Sequence, residues 1–101
     1  MPKLYEYLGI IILFYANEHE PVHVHGRKGG KESKAEIIVK DGTEYIITLK
    51  SVAGKPPLDN NDLKAFKSFV TVYAEKIVQK WIDFFILNKP VSPEIINQKV
   101  K

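Results

Sequence analysis

Residues 59–88 read DNNDLKAFKSFVTVYAEKIVQKWIDFFILN, and the number of helices in the domain turns on this stretch. Leu63, Phe66, Val70, Tyr73, Ile77, Trp81 and Phe85 recur at three- and four-residue steps, the spacing that lines one face of an α-helix. Asp59 or Asn60 is placed to cap the start, and Asn88 with Pro90 to stop the end. One unbroken helix would run about 40 Å at 1.5 Å per residue, longer than a compact domain of this size. The stretch therefore predicts two helices with a bend near Tyr73-Ala74-Glu75. Its aromatic residues read as core, and Lys64, Lys67, Lys76 and Lys80 as a solvated face.

Upstream, Ala53-Gly54-Lys55-Pro56-Pro57 separates this helical part from a sheet. Residues 34–40 and 43–50 are predicted strands joined by Asp41-Gly42, two residues that tolerate the positive φ of a tight hairpin turn. A two-residue turn there sets Val39 opposite Glu44, Ile38 opposite Tyr45 and Ile37 opposite Ile46. Residues 8–15, LGIIILFY, read as a strand buried on both faces. Val22-His23-Val24-His25 alternates with period two behind Pro21, and Gly26 to Lys31 is a basic, glycine-rich connection. Downstream, Pro93-Glu94-Ile95-Ile96 is predicted as one helical turn and residues 98–101 as a frayed tail.

These elements predict an α+β fold, a mostly antiparallel sheet of about four strands with two helices packed on one face. The domain covers residues 1–88, with the sheet half at 8–50 and the helical half at 59–88, and residues 89–101 form the tail.

Composition narrows the function. With 101 residues the chain is one domain, and with no cysteine it has no disulfide, thiolate metal site or cysteine nucleophile. The apolar run at 8–15 falls far short of the roughly 20 residues of a membrane helix. No basic leader precedes it, so a cytoplasmic protein without a membrane partner is expected. The net charge of +3 permits nucleic-acid binding, but Arg27 is the sole arginine, which disfavours bidentate reading of DNA bases. No serine sits in a nucleophile elbow, and Gly29-Gly30 lacks the lysine and helix of a phosphate loop.

All three histidines fall within residues 17–26, NEHEPVHVHG. Strand alternation puts His23 and His25 on one face, and His19 precedes them in a polar break. Three chemistries remain open. His19, His23 and His25 suit a zinc or other divalent ion, with Glu18 or Glu20 in support, although no cofactor is required. They equally suit metal-free acid–base catalysis on a phosphodiester, with Arg27, Lys28 and Lys31 holding the phosphate. They also suit a structural role, with the three cations forming a solvated loop.

Met1-Pro2, then Tyr7-x-Gly9-Ile10-Ile11-Ile12, Tyr15 and His19-x-Pro21-x-His23-x-His25, resembles the small prokaryotic family called domain of unknown function 4160. The likeness runs in outline through the hairpin, Pro56-Pro57, the amphipathic stretch and Trp81, about residues 1–86. Glu18 stands where that family has an aspartate before the first histidine, and the tail after Asn88 is longer. The resemblance implies the toxin-like half of a two-gene toxin–antitoxin module, acting on RNA or translation, with a cognate small antitoxin-like protein as partner. If catalytic, such a protein would be a ribonuclease-like phosphodiesterase using His19, His23 and His25. The rival is a non-catalytic interaction module, monomer or homodimer, because a strand apolar on both faces needs cover on both.

Overall fold

The computed structural model describes residues 3–15, 22–42 and 44–100. Six strands and one helix follow in the order β1 (Lys3–Tyr7), β2 (Ile10–Leu13), β3 (His23–Lys28), β4 (Lys31–Lys40), β5 (Glu44–Ser51), α1 (Asn60–Phe85) and β6 (Glu94–Ile96). They build one sheet in the order β5-β4-β3-β2-β1-β6. Every neighbouring pair is antiparallel except β1 and β6, which run parallel. Among the described residues, the expected sheet of about four strands with two helices is thus replaced by a six-stranded mixed sheet carrying a single helix.

The helix does not break at Tyr73-Ala74-Glu75. No proline or glycine interrupts residues 60–85, and Phe66, Phe69, Val70, Ala74, Ile77 and Trp81 make one continuous buried stripe. Burying that stripe on a single sheet outweighs the argument from length, because a wide sheet supports a long helix along its whole run. Phe69 stacks on Tyr73 with ring centroids 4.3 Å apart, and Tyr5 and Tyr7 meet Phe69 at 5.0 and 4.7 Å. At the crossing with β3 a Cβ on Gly26 would stand 2.8 Å from the Phe66 ring. Only a residue without a side chain lets the helix lie this close.

The predicted strand at 8–15 divides. Leu8 and Gly9 take φ of 49° and 84° and form a two-residue turn, so that Tyr7 pairs with Ile10. Lys3–Tyr7 carries no hairpin signal in the sequence, because the turn has a leucine where such turns favour asparagine or aspartate. The β4–β5 register also differs. Lys40 pairs with Glu44, leaving three residues between the strands, and Ile38 meets Ile46 while Ile37 meets Ile47. A one-residue slip exchanges faces. The observed register sends Ala35, Ile37, Ile47 and Leu49 towards α1 and Ile38 and Ile46 away from it.

The expected helical turn at 93–96 is a strand. Tyr5 pairs with Glu94 and Tyr7 with Ile96, which gives the outer edge of β1 a partner. Val100 donates its N–H to the Tyr7 hydroxyl at 3.0 Å, so the tail is anchored through that residue. Among the described residues no helix is long and apolar enough to cross a membrane.

The start of α1 is tied to the β3–β4 hairpin. Lys28 pairs with Asp62 at 3.0 Å and Lys31 pairs with Asp59. Asp59 occupies the helix cap position, yet its carboxylate makes no capping bond because Lys31 holds it. Glu32 N–H donates to the Pro56 carbonyl, and Leu58 N–H to Ser33 Oγ.

Candidate functional site

Gly26 and Val24 face the helix, so alternation along β3 turns His23, His25 and Arg27 to the opposite face of the sheet. That places His23 and His25 on one face, as their spacing requires. Gly29 and Gly30 form the β3–β4 turn, with Lys28 opposite Lys31 and Arg27 opposite Glu32. The stretch 26–31 is therefore the tip of a hairpin and most of it is strand. A Gly-Gly pair between extended residues is a hairpin signal. Read that way, it sets Glu32 beside Arg27 from sequence alone.

Glu32 is the hub of the site and was not anticipated. It is 2 % exposed. Its Oε2 accepts from the Tyr15 hydroxyl at 2.9 Å and lies 2.9 Å from His25 Nδ1. An ionised carboxylate only accepts, so this second bond requires the hydrogen on Nδ1 and selects one imidazole tautomer. Glu32 Oε1 stands 3.4 Å from Arg27 Nε, an ion pair without the alignment of a hydrogen bond. A buried carboxylate needs such company, since an unpaired charge out of water costs several kcal/mol.

Rings complete the enclosure. Tyr15 meets His25 edge to face at 4.3 Å, and His23 meets His25 at 5.3 Å. Both histidines are buried, at 5 % and 3 % exposure, on the face that α1 does not cover. His19, Glu18 and Glu20 lie outside the described residues. Among the described residues no three histidine, aspartate or glutamate side chains gather to hold a metal ion.

The cations predicted to hold phosphate do come together. Arg27, Lys28 and Lys31 line a hollow of about 280 Å³ at the hairpin tip, with Lys55 and Glu32 also in its wall. Lys55 carries no sequence signal of this role, because it arrives from the loop before α1. It makes no ion pair among the described residues, whereas Lys28 and Lys31 are matched by Asp62 and Asp59. A larger hollow of about 520 Å³ lies between Val72 and Lys76 of α1 and the segment after β6. Neither hollow is lined by a histidine among the described residues, but the larger one has only Lys76 and Lys99 as charged groups, whereas the hairpin hollow joins four cations to the Glu32 carboxylate.

No curated protein and no solved structure matches the chain. The family model described as Domain of unknown function (DUF4160) matches residues 9–82, which takes in β2 to β5, the hairpin hollow, Glu32, both described histidines and nearly all of α1. On that match, across well over half its length, the chain belongs to the DUF4160 family.

Proposed function

We propose that the protein is the toxin-like component of a two-gene module and that it engages single-stranded RNA at the hairpin hollow. The observation that carries this reading is the meeting of Arg27, Lys28, Lys31 and Lys55 around one hollow, with Arg27 braced on a buried carboxylate. A braced guanidinium loses less side-chain freedom on binding phosphate than a free one. The Lys28–Asp62 and Lys31–Asp59 pairs involve exposed lysines and are worth about 0–1 kcal/mol each, so a phosphate displaces them readily. In this reading Tyr15 and His25 hold Glu32, and Glu32 aims Arg27.

Fluorescence anisotropy with a short single-stranded RNA tests it. Arg27→Ala and Lys55→Ala each weaken binding by about tenfold, a loss of roughly 1.4 kcal/mol typical of one charge-assisted contact. Wild-type protein that ignores RNA at low salt, or variants that bind as well as it does, would sink the proposal. Expression without a partner tests the toxin part separately: growth arrest is expected, and normal growth removes that part alone.

A second reading is favoured by the His25–Glu32 bond, which is how a carboxylate orients an imidazole base. His25 would take the 2′-hydroxyl proton, the 2′-oxygen would bond to phosphorus, and the bond from phosphorus to the 5′-oxygen would break. His23 as imidazolium would give that oxygen its proton. The products would be a 2′,3′-cyclic phosphate and a 5′-hydroxyl end, absent with His25→Ala. Uncut RNA in the presence of bound wild-type protein would leave binding without cleavage.

A further inference from the structure

We propose that β5 is the contact of a two-fold homodimer in which two copies join their sheets edge to edge, antiparallel and centred on Ile47. β5 is the outer strand of the sheet and runs for eight residues, Glu44–Ser51. Its register with β4 is continuous from Ser33–Ser51 to Lys40–Glu44, with no bulge to twist it away. It contains no proline, and its one lysine lies near the end. Among the described residues no strand pairs with its outer side. Long, regular edges of this kind template pairing with another chain, which natural monomers often prevent with proline, a bulge or a shortened strand, none of which β5 has. The opposite edge, β6, is only three residues long.

Charge selects a second copy as the occupant and fixes the register. Glu44, Ile46, Thr48 and Lys50 share the face away from α1. Centred on Ile47, antiparallel pairing sets Glu44 against the partner's Lys50, Ile46 against the partner's Thr48 and Tyr45 against the partner's Leu49. The two-fold axis repeats each contact, so both ends of the seam are closed by opposite charges. Moving the axis a whole residue either way sets Glu44 against the partner's Thr48 or beyond the end of the partner's strand, and both ion pairs vanish. On the same face Ile46 and its β4 neighbour Ile38 are 41 % and 48 % exposed, an apolar patch beside the seam.

Sedimentation velocity over a concentration series tests the proposal. Wild type is expected to pass from monomer to dimer. Glu44→Lys sets like charges opposite at both ends and weakens the dimer by about tenfold, and adding Lys50→Glu restores it. Lys50 also lies 3.3 Å from Glu36 within its own chain, so the single change at Glu44 is the cleaner arm. Because the chain has no cysteine, register is read separately by oxidation. Ile47→Cys crosslinks across the axis, whereas Thr48→Cys does not, its two sulfur-bearing positions lying beyond disulfide reach. A wild type that stays monomeric at every concentration overturns the proposal. So does a dimer indifferent to Glu44→Lys, or one that crosslinks equally at both positions.

Discussion

Glu32 decides how much the cluster around it is worth. Replacing it with alanine leaves Arg27 and His25 without their buried carboxylate, and the domain should lose about 3 kcal/mol, the usual result of removing one partner from a buried pair. Tyr15→Phe removes a single bond to the same oxygen and should lose about 1 kcal/mol. Urea titration of the two variants checks the order, and equal losses would show that Glu32 is not the hub. Tyr5 poses the opposite case, a fully buried hydroxyl with no partner among the described residues. Burial first, then the Glu94 carboxylate and Tyr73, push its pKa far above the ordinary tyrosine range. The fold thus favours the neutral phenol. Its contribution is complete below the unfolded pKa of about 10 and is lost as the pH rises beyond it. Tyr5→Phe should leave stability at neutral pH unchanged or about 1 kcal/mol higher, and should flatten the decline in Tm above pH of about 10. A variant that melts lower at neutral pH and declines as steeply as wild type would refute this. At this scale the strand alternation of His23 and His25 was legible, because period two follows from backbone geometry alone. Glu32 was not, because its role depends on which residue lies across the hairpin.

Elements were legible where a single local rule governs them and illegible where two compete. The spacing of Phe66, Val70, Tyr73, Ile77 and Trp81 declared a helix, and a helix is there. Its continuity is not written in the spacing, because it depends on how far the sheet extends beneath it. β1 and β6 were hidden for related reasons: Leu8-Gly9 makes a tight turn from an unusual residue, and Glu94–Ile96 becomes a strand only because β1 offers it an edge. The seat of α1 on β3 yields a direct check. Gly26→Ala drives a methyl into the Phe66 ring, a contact shorter than packed carbons tolerate, and should lower stability by about 1–3 kcal/mol. Thermal melting of that variant alongside Phe66→Ala/Gly26→Ala locates the clash. Unless the double variant recovers part of what the methyl costs in wild type, Phe66 is not what excludes it.

The whole molecule places its polar chemistry on one face of the sheet and its helix on the other, and the hairpin tip links them through Lys28–Asp62 and Lys31–Asp59. RNA that binds the folded hollow and not the unfolded chain should raise Tm in wild type. It should do so much less when Arg27 and Lys55 are both alanine. The direct test of RNA binding at this hollow is the slope of log affinity against log salt for single-stranded RNA, measured for wild type and for Arg27→Ala/Lys55→Ala. Two lost phosphate contacts should flatten the slope by about 1.4, at roughly 0.7 per contact. Identical slopes would place the phosphates elsewhere on the protein.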